Sequence, residues 1–258
     1  MQIIIAADRK QMGEWVAKHA ALDLQRTIAE RGEARLLIAT GSSQFEVLDA
    51  LSKHDEVDWS RVTGFHLDEY IGLASSHPAS FCGYLQQRFV DRVPLKQFHY
   101  LRGDADPQTT IATVGAALQS HASGRPPIDM ALVGIGENGH LAFNDPPADF
   151  ETDVPYLIVT LDEACRQQQV GEGWFASLAD VPTQAISMSI RQIMKCERIY
   201  CSVPDARKAE AVRNSVEGKV SPQVPASILQ AHAQVTLVID RAAAQQLAGD
   251  TLARAMIL

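Results

Sequence analysis

The sequence predicts an α/β fold with three layers, in which a mainly parallel sheet lies between two layers of helices. Short β-branched runs alternate with longer helical patterns along the 258 residues. Several short runs, such as IIIAA, LLIA and MALVG, are apolar at every position. Such runs are typical of parallel strands that helices cover on both faces. Because no repeat, low-complexity tract or Gly/Ser linker interrupts the pattern, we expect residues 1–258 to form a single Rossmann-like domain.

The predicted elements alternate in chain order. The short runs predict strands at Gln2–Ala6, Arg35–Ala39, Val62–His66, Phe98–Leu101, Met130–Gly134, Tyr156–Thr160, Ala185–Met188, Arg198–Ser202 and Val235–Ile239. The longer runs predict helices at Lys10–Arg31, Gln44–Ser52, Ser80–Arg92, Pro107–His121, Pro204–Glu217 and Arg241–Leu252. In the first helix a stripe at helical spacing is expected to face the core, namely Met12, Trp15, Val16, His19, Leu22 and Ile28.

Composition excludes several classes of function. Apolar residues make up 46% of the chain and charged residues 21%, which is ordinary for a globular protein and argues against general disorder. The formal charge of -8 disfavours nucleic-acid and anionic-membrane binding, since both need a basic face. A small anionic substrate stays possible, because a few local donors override the average charge.

The cysteines and the first residues predict a cytoplasmic location. Cys82, Cys165, Cys196 and Cys201 form no CxxC pair and fit no common zinc spacing, so we expect reduced, mostly buried thiols. The opening MQIIIAADRK has the pattern of a strand and not of a signal peptide. No run approaches the roughly 18 apolar residues of a membrane span.

Three strand ends carry polar residues, where ligands bind in open α/β sheets. Gly41, Ser42 and Ser43 follow the second strand and precede a helix, so they can hold a phosphate on backbone N–H groups or simply cap the helix. Asp68 and Glu69 follow the third strand. Asp68 can act as a general base if it is buried, or the pair can form a solvated turn.

The third of these strand ends contains a literal GxGxxG match, Gly134–Gly139. It fails as a dinucleotide motif, because Asp145-Pro146-Pro147 stands where the motif needs a long helix. Without the dinucleotide motif, the segment is predicted to be a Gly-rich turn that presents His140, with Asn138 and Asp145 close in sequence. A histidine beside a carboxylate can shuttle protons, although a lone histidine on a turn is often structural.

Lys208 is predicted in the first turn of a later helix, where its charge opposes the helix dipole. A bound phosphate would compensate the positive charge of Lys208, and so would the carboxylate of Asp205 or Glu210.

Together these strings resemble one family. TGSS, HLDEYIGL with a later HPAS, GENGHLAFNDP, and KAEAVRNSVEG followed by PAS match the glucosamine-6-phosphate deaminases in order and spacing over roughly residues 35–240. The related 6-phosphogluconolactonases have a similar Gly-rich turn, but Phe143-Asn144-Asp145 after it looks like the deaminase.

The resemblance implies the fold of ribose-5-phosphate isomerase and the CoA transferases. It also implies conversion of glucosamine 6-phosphate and water into fructose 6-phosphate and ammonia, without a metal or organic cofactor. His140 would assist ring opening and Asp68 would move a proton between C2 and C1, with Asn138 and Asp145 orienting the histidine. The remaining expected contacts are with the substrate and its phosphate, from Gly41, Ser42, Ser43, Glu69, Gly139 and Lys208.

This chain departs from the family pattern at three places. Asp145 replaces the usual Glu, and Asn138 stands where some members carry Asp. The family's Ser-Arg-Thr segment and a second, phosphate-binding arginine are missing, and a GEGW stretch at 171–174 follows three glutamines. Either Arg166, Arg191 or another residue replaces that arginine, or the substrate differs. The GEGW stretch indicates either a remodelled pocket or a surface insertion.

Two other functions compete with the deaminase. A lactonase would use His140 as a general base on water and tolerate loss of Asp68, whereas a sensor would bind a sugar phosphate without turnover. For the deaminase we expect a small-molecule partner only, in a monomer or small homo-oligomer without allosteric control by an amino-sugar phosphate.

Overall fold

The computed structural model describes residues 1–121 and 124–258, and within these ranges the strands form two sheets. The strands are β1 (Gln2–Ala6), β2 (Ala34–Ile38), β3 (Val62–His66), β4 (Asp68–Tyr70), β5 (Gln97–His99), β6 (Met130–Val133), β7 (Tyr156–Thr160), β8 (Gln184–Met188), β9 (Arg198–Val203), β10 (Val235–Asp240) and β11 (Met256–Ile257). The larger sheet has the order β11-β1-β10-β9-β6-β2-β3-β5, and each of its strand pairs is parallel.

The smaller sheet is antiparallel, with the order β4-β8-β7. The sequence predicted β7 and β8, but it gave no sign that they leave the main sheet. It also missed β4, because two carboxylates and a tyrosine make a poor strand signal. The pairing of Asp68 with Ser187 and of Tyr70 with Ala185 places β4 beside β8.

The helices pack on both faces of the larger sheet. They are α1 (Arg9–Arg31), α2 (Phe45–Leu51), α3 (Phe81–Arg88), α4 (Pro107–Gln119), α5 (Glu163–Gly171), α6 (Ile190–Ile193), α7 (Ala209–Glu217) and α8 (Gly249–Arg254). Successive residues of one strand enter different apolar clusters. Leu36 packs with α1 and α2, whereas Leu37 packs with α4 and α7. This alternation confirms the three-layer α/β prediction.

Helix α1 shows where the predicted core stripe is right and where it is wrong. Asp8 caps its N-terminus by accepting a hydrogen bond from the N–H of Gln11. Met12 and Val16 are buried, but Leu22 is 53% exposed, and the other three predicted positions are half-buried. Small residues complete the buried face, namely Gly13, Ala17, Ala20 and Ala21. Leu22 was misplaced because glycine and alanine carry a weak apolar signal. At Gly13, α1 lies so close to α2 that a Cβ atom would collide with Glu46.

Most predicted boundaries agree with the structure within a few residues, but the last predicted helix differs, and β4, β11, α5 and α6 were not predicted. Residues 241–246 form turns, and α8 begins only at Gly249, so the predicted helix from Arg241 is wrong over its first half. Helix α5 was not predicted, because its sequence EACRQQQVG lacks an apolar stripe. Its N-cap Asp162 accepts a hydrogen bond from the N–H of Cys165. All four cysteines are free and buried, and no helix among the described residues is long and apolar enough to span a membrane.

Candidate active site

One cavity lies at the edge of the main sheet where β2, β6 and β9 end and where β4 begins. This is the edge at which open parallel sheets bind ligands. Its walls include a polar set that the sequence predicted, namely Gly41, Ser42, Ser43, Asp68, His140 and Lys208. The three strand ends and the later lysine therefore meet around one cavity.

The loop after β2 forms one wall of the cavity. Gly41 has φ +90° and ψ 176°, a backbone conformation that a side chain would strain. Residues Ser42–Gln44 then form a 3₁₀ turn that leads into α2. Two outside contacts fix the loop, because Arg9 donates to the Ser42 carbonyl at 2.7 Å and Tyr84 donates to the Gly41 carbonyl at 3.0 Å.

Lys208 also lines the cavity, from the junction between a 3₁₀ turn and the start of α7. Its side chain is buried, and this burial lowers the pKa of the ammonium. The sequence suggested Asp205 or Glu210 as alternatives to a phosphate. Both pair elsewhere, with Arg207 and Arg213. The carboxylate nearest Lys208 belongs instead to Glu172, whose Oε1 lies 3.6 Å from Nζ.

Asp68 faces the cavity from β4 and is only 6% exposed, so the solvated-turn alternative is wrong. Burial, and to a smaller extent the neighbouring charge of Glu69, raises the pKa of Asp68 to about 8. A carboxylate with such a pKa is a stronger base than an exposed one, which suits proton abstraction near neutral pH.

The Gly-rich turn after β6 presents His140. A Cβ atom at Gly136 would collide with the imidazole, so only glycine lets the ring lie flat against this backbone. The turn closes through two hydrogen bonds of 3.0 Å, from Gly136 N–H to the His140 carbonyl and from Gly139 N–H to the Gly136 carbonyl. No helix follows within residues 134–155, which agrees with the rejection of the dinucleotide motif, because that motif needs a helix here.

A buried polar network contacts His140 at its ring Nδ1 and at its backbone N–H. The ring Nδ1 lies 3.1 Å from Asp145 Oδ1, within ion-pair distance. Asn138 Nδ2 donates to Asp145 at 3.0 Å and to Asp162 at 3.2 Å, and its Oδ1 accepts from the His140 N–H. Burial raises the pKa of Asp145, but the contacts with His140, Asn138 and the Asp162 N–H outweigh it and lower the pKa overall.

His140 and Asp145 also form, with Cys165, a group whose ligand atoms lie within 4.8 Å of one another. Such a set has the residue types of a zinc site. Burial, however, raises the pKa of the Cys165 thiol well above its usual value. Metals bind the thiolate, so a metal at this group would have to displace the proton that burial keeps on Cys165.

Comparison with known proteins identifies the family of this chain. A family model described as glucosamine-6-phosphate isomerases/6-phosphogluconolactonase matches residues 7–238. The chain belongs to this family. A glucosamine-6-phosphate deaminase from an Exiguobacterium species is 40% identical over 234 residues, which is 90% of this chain and 87% of the relative. That of Thermoanaerobacter pseudethanolicus is 32% identical over 98% of this chain and 97% of the relative.

Solved structures of the isomerase/lactonase family have the same fold. A monomeric glucosamine-6-phosphate deaminase superposes with a TM-score of 0.82 at 30% identity, covering 95% of this chain and 99% of its own. The 6-phosphogluconolactonase of Trypanosoma brucei superposes with a TM-score of 0.77 at 15% identity, covering 96% and 98%. Because the sequences are only 15% identical, the similarity to this lactonase shows a shared fold and nothing about function.

Two predicted substrate contacts of this family member lie outside the cavity wall. Glu69 is fully buried and accepts four hydrogen bonds at the start of α3, from Ser80 Oγ and the N–H groups of Tyr70, Phe81 and Cys82. Its carboxylate is saturated there, so the expectation that Glu69 binds substrate is corrected. Gly139 instead shapes the turn, with φ +83°, and its carbonyl accepts from the Ala226 N–H.

The expected replacements for the missing arginine are also wrong. Arg166 donates to the carbonyls of Leu178 and Val181, and Arg191 lies beside Asp153. Neither side chain lines the cavity, which is bordered instead by Arg9 and Arg207. Sequence reasoning missed these two because nothing in their local pattern distinguishes them from surface arginines.

Proposed function

We propose that this protein isomerises and deaminates an amino-sugar phosphate, converting glucosamine 6-phosphate and water into fructose 6-phosphate and ammonia. The observation that carries the proposal is the pair Asp68 and His140 on one cavity. Asp68 is a buried carboxylate with a raised pKa, and His140 is backed by Asp145. The named deaminases that are 32–40% identical to this chain support the same reaction.

His140 is suited to opening the pyranose ring. This step moves a proton from the anomeric hydroxyl to the ring oxygen, and an imidazole can accept the first and return the second. Asp145 holds the ring from the Nδ1 side. Asn138 supports Asp145 without adding a second charge.

Asp68 is suited to the isomerisation. Its carboxylate would take the proton from C2 of the open chain and return a proton to C1, which shifts the double bond and leaves an imine at C2. Water then replaces the imine nitrogen, giving the ketose and ammonia. Two groups in different environments allow one site to hold an acid and a base at the same pH.

The Gly41–Ser43 loop and Lys208 would hold the substrate phosphate. Backbone N–H groups and the Ser42 hydroxyl at the turn before α2 offer neutral donors, and Lys208 offers a buried positive charge. We further propose a monomer or small homo-oligomer, supported by the similar monomeric deaminase, and a cytoplasmic location, supported by the four free buried thiols.

The test is an assay of ammonia and fructose 6-phosphate formation from glucosamine 6-phosphate, with wild type, Asp68→Asn and the exposed control Asp55→Asn. We expect Asp68→Asn to lower kcat roughly 10³-fold and the control to keep wild-type activity. In heavy water the wild type should place deuterium at C1 of the product. Failure to release ammonia, combined with hydrolysis of 6-phosphogluconolactone that survives Asp68→Asn, would instead identify a lactonase.

A further inference from the structure

Glu172 places a carboxylate inside the cavity, directly after the end of α5. Its side chain is only 5% exposed and contacts four groups. Ser42 Oγ and Trp174 Nε1 each donate to Oε2 at 3.2 Å, and Gln168 Nε2 donates to Oε1 at 2.8 Å. The fourth group is the Lys208 ammonium, 3.6 Å from Oε1. The GEGW stretch therefore contributes to the cavity wall through Glu172 and is not a surface insertion.

Two of these partners, Ser42 and Lys208, are the groups proposed above to hold the substrate phosphate. We propose that Glu172 is an internal competitor for that phosphate and so determines how strongly the site selects phosphorylated over neutral sugars. The inference rests on the proposed function for the role of Ser42 and Lys208. A carboxylate and a phosphate need the same donors, so they cannot both occupy them.

The charges around the cavity explain why Glu172 has to leave when a phosphate enters. Arg9 is paired with Glu46 at 2.7 Å, and Arg207 with Asp205 at 3.0 Å. Of the three cations that line the cavity, Lys208 is the one with a buried side chain, 7% exposed against 41% for Arg9 and 45% for Arg207, and Glu172 is its partner. A phosphate dianion placed beside Lys208 would meet the charge of Glu172 at close range. A neutral hydroxymethyl group would leave the Glu172 contacts in place.

The fluorescence of Trp174 should report the displacement of Glu172. Its indole N–H is bound to the Glu172 carboxylate, and its ring lies edge-on against Phe45 and Tyr84, each 6.1 Å away between centroids. None of the three tryptophans lines the cavity, but Trp174 is hydrogen-bonded to Glu172, which does. Inorganic phosphate should therefore change the fluorescence of wild type, and Trp174→Phe should remove that change.

The first experiment measures the Kd of inorganic phosphate by calorimetry for wild type, Glu172→Gln and Glu163→Gln. Glu163 is the matched control, an exposed glutamate at the start of α5, the helix that ends just before Glu172. We expect Glu172→Gln to bind phosphate roughly tenfold more tightly and Glu163→Gln to match wild type. Lys208→Met should weaken binding in both backgrounds. An unchanged or weaker Kd in Glu172→Gln overturns the inference, and so does an unchanged Kd in Lys208→Met.

If Glu172→Gln is not folded by circular dichroism, Glu172→Asp serves as the second variant. Its shorter side chain withdraws the charge from Lys208, so phosphate should bind more tightly than in wild type. Equal or weaker binding would overturn the inference.

The second experiment compares glucosamine 6-phosphate with glucosamine as substrates. In Glu172→Gln the ratio of their kcat/KM values should rise roughly tenfold towards the phosphorylated sugar, through a lower KM. A higher KM for glucosamine 6-phosphate would show that Glu172 helps to bind substrate, which contradicts competition. Absence of ammonia release would refute the proposed function. The first experiment would still test the role of Glu172, because phosphate binding is measured without turnover.

Discussion

Asp68 and Glu69 are neighbours in β4, yet their carboxylates face different surroundings. Asp68 lines the cavity, whereas Glu69 lies under the N-terminus of α3 and accepts four hydrogen bonds there. Alternation of side chains along a strand produces this division. Because the charge of Glu69 contributes to the raised pKa of Asp68, a residue outside the cavity helps to set the basicity of one inside it.

Replacing Glu69 by Gln should destabilise the protein. The amide keeps the size of the side chain but turns a donor towards backbone N–H groups that need an acceptor. We expect the free energy of unfolding to fall by about 3 kcal/mol in urea denaturation. Glu210→Gln, an exposed glutamate on α7, is the control and should stay within about 0.5 kcal/mol of wild type. Equal stability of Glu69→Gln would contradict a structural role for this carboxylate.

The activity should depend on pH through the carboxyl of Asp68. A general base must be ionised in the free enzyme, so kcat/KM for glucosamine 6-phosphate should rise about tenfold per pH unit below pH 8 and level off above it. In Glu69→Gln the midpoint should move to lower pH, because one negative neighbour is removed. It should stay above the usual range of an aspartate, since burial is the larger cause. A flat profile between pH 6 and pH 9 would refute the assignment.

The sequence predicted the parallel sheet well, because its strands are short, apolar and β-branched. It placed Asp68, His140 and Lys208 near strand ends, and the topology then brought them to one cavity. It failed where tertiary contacts override local pattern. Strand β4 exists through pairing with β8, and Glu172 enters the cavity just after the end of a helix that has no apolar stripe. Neither long-range relationship has a local sequence signal.

Gly136 should be essential for the position of His140. A methyl group there would overlap the imidazole, so Gly136→Ala has to displace either the ring or the turn that carries it. We expect kcat to fall roughly 100-fold, since small displacements of a catalytic group are costly. Gly171→Ala is a matched control, because a Cβ at that position meets no atom within 4 Å. Crystal structures of the two variants would check the cause, and an undisturbed His140 in an inactive Gly136→Ala would contradict it.

Lys208→Met should separate binding of the phosphate from the chemistry at C1 and C2. The variant keeps the apolar stem in its buried position but removes the charge that we propose to bind the phosphate. We expect KM for glucosamine 6-phosphate to rise about 100-fold, which corresponds to one lost charge-assisted contact, while kcat falls much less. Lys195→Met, at a half-exposed lysine beside Asp153, should behave as wild type. If Lys208→Met lowered kcat with KM unchanged, Lys208 would act on the reacting atoms, and the phosphate would have to bind elsewhere in the cavity.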